Sequence, residues 1–149
     1  MPTIQNRTKK YRLKNKRSYD ACGRQCFPVK QFGFPNTKRV RSQQDFSEIY
    51  SARQRAGDQY LLLFAVRNEL NQTRLGVSVS RKNGNAVKRA RKKRLIREAF
   101  RLVQHQLPKG LDLIAIPRPT VDGNLQQYQN SLKRLSQKLN HRLEHKQSG

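Results

Sequence analysis

Residues 84–101 read GNAVKRARKKRLIREAFR, and no other segment constrains the fold as much. Eight of its eighteen positions are Lys or Arg, and one, Glu98, is an acid. Its second half carries Leu, Ile, Ala and Phe. Asn85 is a candidate N-cap, because its short side chain can take a free backbone N–H of the first turn. On a helical wheel at roughly 100° per residue, Leu95, Ile96, Ala99, Phe100, Leu102 and Val103 share an arc of about 160°. Lys93, Arg94, Arg97 and Arg101 lie opposite, and Lys88, Arg89, Arg91 and Lys92 surround the axis before them. The spacing predicts a helix over about 86–106, with a core-packing C-terminal half and an N-terminal half that is cationic all round.

That arrangement opposes the helix dipole, at roughly 0.3–1 kcal/mol for each exposed cation near the N-terminus. An end that is both cationic and rich in free N–H groups suits phosphate. A solvated charge run or a nuclear-localisation signal is the competing reading. Neither explains why the segment is one-signed where the dipole penalises it and also carries a core face.

The formal net charge of +24 is unevenly distributed. Residues 1–41 hold twelve basic residues and one acid, and residues 81–101 hold ten and one. The other 87 residues carry only +4. Self-repulsion of this size calls for a polyanion, with nucleic acid ahead of an anionic membrane surface. No stretch approaches the roughly 18–20 apolar residues of a membrane span. The N-terminus lacks the apolar core of a secretory signal, which leads to the expectation of a cytoplasmic protein. Cys22 and Cys26 fall short of the four ligands of a structural zinc. They read as free thiols, with a labile disulfide or a shared metal as alternatives.

Residues 1–37 read as a basic, flexible extension, expected to add an RNA contact. From Ser42 the pattern becomes globular. Ser42 can cap a short helix running to about Ala56, with Phe46, Ile49 and Tyr50 at helical spacing. QYLLLFAVR (59–67) has the length and composition of a buried strand. RLGVSVS (74–80) alternates, with Leu75, Val77 and Val79 on one side and Gly76, Ser78 and Ser80 on the other. LDLIAIP (111–117) is the next strand. Leu125, Tyr128, Leu132, Leu135 and Leu139 form the stripe of a C-terminal helix to about Leu143. The order helix, strand, strand, helix, strand, helix describes a small layer of helices on a sheet.

RLGVSVSRKNGNAVKRARKKRLIREAFR (74–101) resembles the signature of the bacterial ribonuclease P protein component. In that family a G-L-S-V-S-type strand leads through a Gly-Asn-Ala loop into a helix reading R-N-R-x-x-K/R-R-x-x-R-E. RVRSQQDFSEIY looks like the family's opening helix, DLIAIPRP its last strand, and the 125–143 stripe its last helix. The likeness spans about 38–143, taken as one RNA-binding domain to residue 145.

The resemblance implies an α+β fold: a single small α/β sandwich of order α-β-β-(β)-α-β-α, with a left-handed crossover through the basic helix. General rules would predict a right-handed one. It also implies an RNA-binding subunit of an endoribonuclease, in which a catalytic RNA and Mg2+ remove the 5′ leader of precursor tRNA. The basic signature positions fall on Arg89, Arg91, Lys93, Arg94 and Arg97; Lys88, Lys92 and Arg101 extend the RNA-binding set. Phe46 and Tyr50 fall on the aromatic positions of a cleft for the single-stranded leader, completed by Leu63, Ser78 and Ser80. Plain core packing is the alternative for both aromatics. Ala90 departs from the family's Asn, removing an amide that could contact RNA or hold a loop.

No P-loop, H-E-x-x-H or G-x-S-x-G motif occurs. The few acids are scattered, whereas a two-metal nuclease needs converging carboxylates. His105, His141 and His145 read as surface residues. The expectation is therefore no catalytic residue and no protein-held cofactor, Mg2+ entering through the RNA, and neither a membrane nor a small-molecule partner. A structural RNA-binding protein of ribosomal type is the alternative.

Overall fold

A computed structural model describes residues 33–149, together with an antiparallel pairing of Ser18–Tyr19 with Gln25–Cys26 in a separate N-terminal unit. The expectations for the other residues up to 32, and for the side-chain chemistry of the two thiols, lie outside the described residues. The body contains α1 (Gln43–Ser51), β1 (Arg55–Gly57), β2 (Leu61–Arg67), β3 (Arg74–Val77), α2 (Ala86–Val103), β4 (Leu111–Pro117) and α3 (Leu125–Gln147). The four strands form one mixed sheet in the order β1-β2-β4-β3. β2 pairs antiparallel with β1 and β4, and β3 runs parallel to β4. The β3–α2–β4 connection thus joins parallel neighbours, the setting in which a crossover has a hand. Among the described residues no helix is long and apolar enough to cross a membrane.

The period-2 alternation of the strands distributes side chains between two faces. Leu61, Leu63 and Ala65 of β2, and Leu111, Leu113 and Ala115 of β4, face α2 and α3 in the main core. From α2 that core takes Ile96, Ala99, Phe100 and Val103, four of the six residues on the predicted apolar arc. From α3 it takes Tyr128, Leu132, Leu135 and Leu139. Burying each large side chain fully contributes roughly 1.5–3 kcal/mol, which is why these stripes decide where the helices sit. The opposite face carries Phe64, Val66, Ile114 and Ile116 and is covered by Val40 and Ile49, with Phe46 and Tyr50 half-buried beside them.

Several boundaries differ from expectation. Ser42 does cap α1, its side chain accepting from Gln44 N–H at 3.2 Å. The helix nevertheless stops at Ser51, because Arg53 adopts a left-handed φ of 53° that ends the turn. The chain released there forms β1, which completes the three strands expected before the basic helix. Asp58 makes the β1–β2 turn by accepting from the backbone N–H groups of Tyr60 and Leu61. β3 ends at Val77, with only Ser78 N–H continuing the ladder to Ala115 O at 3.0 Å. α2 tightens into a 3-10 turn over Gln104–Gln106, and α3 runs one turn past Leu143. The body also begins before Lys38: Phe34 lies on Phe100, ring centroids 5.3 Å apart, and Arg39 sits 4.9 Å over the Phe34 ring.

Candidate nucleic-acid interface

Asn85 caps α2 as expected, accepting from Lys88 N–H at 3.0 Å. No acid stands in the first turn. Lys88, Arg91, Arg94 and Arg97 are exposed, and Arg81 and Lys82 of the preceding 3-10 turn extend the same cationic surface. Arg89 and Lys93 are half-exposed, the Arg89 Nε being buried. Arg101 is also half-exposed and donates from Nε to Glu98 at 2.9 Å. That hydrogen bond raises the Arg101 guanidinium and holds the Glu98 carboxyl below the usual carboxylate range.

Lys92 stands apart from the other predicted RNA-binding residues. Only 6% of it is exposed, because it lies at the edge of the buried face and turns into the protein. Its ammonium donates to Asn83 Oδ1 at 2.9 Å and to Arg118 O at 3.4 Å, and pairs with Asp122 Oδ1 at 2.7 Å. Asn83 in turn donates to Ser80 Oγ at 3.2 Å. The ammonium holds the Asp122 carboxyl below its ordinary range, Lys88 and Arg91 adding to the effect. Lys92 thus ties the loops before α2 and after β4 to the helix, and is a positioning residue in the free protein.

A second feature lies on the α1 face of the sheet. Phe46, Tyr50 and Phe64 form a row: Phe46 and Tyr50 have centroids 6.3 Å apart, and Tyr50 meets Phe64 edge-on at 5.0 Å. Arg53 and Arg55 flank Tyr50 and Phe64 around a depression of about 490 Å³. Arg39, Arg41 and Arg97 surround a smaller one, about 80 Å³, beside Phe46 and Gly76. Half-buried aromatic faces between guanidinium groups suit unpaired bases and their phosphates, stacking being worth about 1–3 kcal/mol per base. Phe46 and Tyr50 are both in this row and both part of the packing around Val40 and Ile49, so the two readings of these residues coexist.

Leu63 requires a correction. It is fully buried in the main core, because β2 presents Leu61, Leu63 and Ala65 to α2 and α3. Its neighbour Phe64 lies in the aromatic row instead, on the opposite face of the sheet. Ser80 is exposed and holds Asn83, which places it in the Lys92 network outside the aromatic row; Ser78 is half-buried just past β3. Arg53 and Arg55 were missed altogether. Their signal was available in the one-signed RQR that follows Tyr50, but only the sharp end of α1 brings them beside Phe64.

Gly76 forms the floor under Phe46. A Cβ there would stand 2.8 Å from Phe46 Cζ and 3.2 Å from Val40 Cβ. Gly76→Ala is expected to displace Phe46 and cost about 1 kcal/mol, at the low end of overpacking penalties. Chemical denaturation checks the cost, and an unchanged stability would mean that α1 yields freely.

Arg74 fixes α1 over this face. Its Nε donates to Asp112 Oδ1 at 2.8 Å, its Nη2 to Asp112 Oδ2, and its Nη1 lies 3.7 Å from Asp45 of α1. The hydrogen bonds from Arg74 to Asp112 raise the guanidinium above its ordinary value.

The sequence profile of the family Ribonuclease P matches residues 34–140. The ribonuclease P protein component of Alkaliphilus oremlandii is 33% identical over 103 residues, covering 68% of this chain and 90% of that one. The one from Clostridioides difficile is 33% identical over 104 residues, with coverage of 68% and 91%. Among solved structures, the RNase P protein of Staphylococcus aureus superposes with a TM-score of 0.59 at 35% identity, over 66% of this chain and 91% of that one. The RNase P protein from Thermotoga maritima gives 0.60 at 30% identity, over 65% and 96%.

Proposed function

The chain belongs to the ribonuclease P protein family, and on that premise we propose that it binds the catalytic RNA and the 5′ leader of precursor tRNA, assisting endonucleolytic removal of the leader. The observation that carries this reading is the proximity of two surfaces. Arg97 belongs both to the cationic side of α2 and to the lining of the depression beside Phe46. A folded RNA engaged by α2 would therefore present an adjoining single strand to the aromatic row. In this reading the exposed arginines and lysines neutralise phosphates, and Phe46, Tyr50 and Phe64 take the bases. The chemistry belongs to the RNA, which also brings Mg2+. The protein contributes binding and orientation, so an enzyme label attaches to the ribonucleoprotein, expected in the cytoplasm.

The test is precursor-tRNA cleavage by a bacterial ribonuclease P RNA at low Mg2+, with and without the protein. Strong stimulation is expected, and Arg94→Ala with Arg97→Ala should reduce it. The double variant should also lower the log–log salt slope of RNA binding by roughly 1.4–1.8, at about 0.7–0.9 per phosphate contact. RNA binding without stimulation would move the chain to the structural, ribosomal type of role.

A further inference from the structure

His141 and His145 stand one turn apart on the exposed side of the last turns of α3. Their Nε2 atoms are 3.1 Å apart, with ring centroids at 4.3 Å and planes at 88°. Two neutral imidazoles can approach in this way only when one Nε2 carries a hydrogen and the other accepts it. The same approach fits two ligands of one ion. Metal–nitrogen bonds of about 2.0–2.1 Å to both Nε2 atoms would subtend roughly 100° at the metal, between the octahedral and tetrahedral angles.

We propose that His141 and His145 form a two-ligand site for a divalent transition metal of the zinc class. On binding, the ring that carried its hydrogen on Nε2 shifts it to Nδ1, and both Nε2 lone pairs coordinate the ion. No net proton is released from the neutral pair, and water fills the remaining positions. Imidazole nitrogen favours zinc, copper or nickel over magnesium, whose preference is for oxygen. The site is therefore chemically separate from any magnesium bound with RNA.

One feature of the surroundings favours a cation here. α3 ends at Gln147, so the ion would lie near the negative end of the helix dipole. Of the charged side chains nearby, Glu144 pairs with Arg67 at 3.5 Å and accepts from Asn140 at 2.8 Å, and Arg142 donates to Arg55 O at 3.0 Å. Lys138 and Lys146 are exposed on the same turns and oppose the ion, so binding rests on the two nitrogen ligands. Binding closes a ring across one helical turn and stiffens a segment with little packing beyond Leu143.

Isothermal titration of the full chain with Zn2+ tests the site, run on wild type, His141→Ala, His145→Ala and the Cys22→Ser/Cys26→Ser double variant. Wild type is expected to bind one ion, with excess Mg2+ failing to compete. Each histidine variant should weaken binding by at least about tenfold, the loss that even an outer-shell partner can cause. Both histidines are exposed, so these variants keep the fold. The cysteine variant should bind like wild type, and zinc should slow amide exchange over 141–147 only where both histidines remain. Absence of binding to wild type even at millimolar zinc, unchanged affinity in either histidine variant, or loss of binding with the cysteines would overturn the proposal.

Discussion

Asp112→Ala is expected to lower the unfolding free energy by about 3–5 kcal/mol, the cost of removing one partner from a buried ion pair. Asp112 is 5% exposed and lies in β4, on the face turned toward α1. It accepts the fork of Arg74 and a hydrogen bond from Asn68 Nδ2 at 2.6 Å. Alanine would leave the Arg74 guanidinium with only the distant carboxylate of Asp45, and would free the Asn68 amide from one of its two acceptors. Asp112→Asn keeps the shape and two acceptor lone pairs but loses the charge. Its expected cost is about 2 kcal/mol, within the range for a charged hydrogen bond. The midpoint of a denaturant titration measures both, provided the slope m is unchanged. A loss below about 1 kcal/mol for the alanine variant would show that Arg74 finds other partners on unfolding its fork. Because Arg74 also reaches α1, the damage should extend to the aromatic row, and leader binding should weaken more than RNA affinity as a whole.

How much of this was readable beforehand depends on the range of the interactions involved. The α2 and α3 stripes are local patterns, set by 3.6-residue periodicity, and their core residues appear where the wheel puts them. Asn85 and Ser42 cap as expected because capping depends only on residues two or three positions ahead. The end of α1 was not readable. A left-handed arginine at 53 is not a local preference, and it arises where β1 must pair with β2. Nor does a run such as LLLFAVR reveal its register. Both faces of a strand covered on both sides are apolar, and a one-residue slip exchanges them. That ambiguity put Leu63 in the cleft and left Phe64 out of it. The register became fixed only by pairing, with Leu63 opposite Ala115 and Phe64 opposite Ile114.

The site shows the same division between charge and contact. Composition located the cationic helix; the exposure of Arg94 and Arg97 follows from the arc they occupy, and that of Lys88 and Arg91 from their place in its cationic N-terminal half. Composition could not separate Lys92 from these residues, although the wheel places it one turn before Ile96, within the apolar arc; the acceptors that hold its ammonium come from distant parts of the chain. Asn83 lies nine residues away, and Arg118 lies twenty-six. Arg53 and Arg55 likewise join the aromatic row through topology and not through any helical face. Phe46 and Tyr50 were legible from the resemblance, and Gly76 takes its meaning from the ring above it.

Lys92 supplies the sharpest test of that division. Lys92→Met keeps the aliphatic stem, opens no cavity, and removes the ammonium. Asp122, whose side chain is 82% exposed, can rehydrate at little cost. Asn83 is only 6% exposed, and its Oδ1 would lose its one partner among the hydrogen bonds described. An unmade hydrogen bond on a buried acceptor costs about 1–3 kcal/mol, and weakening of the contact to Arg118 O adds to it, so a loss of about 2 kcal/mol is expected. If Lys92 works as a strut, RNA binding at permissive temperature should keep its salt slope, unlike that of Arg94→Ala. If Lys92 instead leaves its buried partners to contact phosphate, the stability loss of the free protein remains, but the slope also falls by the roughly 0.7–0.9 of one lost phosphate contact. Measuring stability and salt slope on the same variant therefore distinguishes a strut that shapes the helix for RNA from a residue that touches RNA itself.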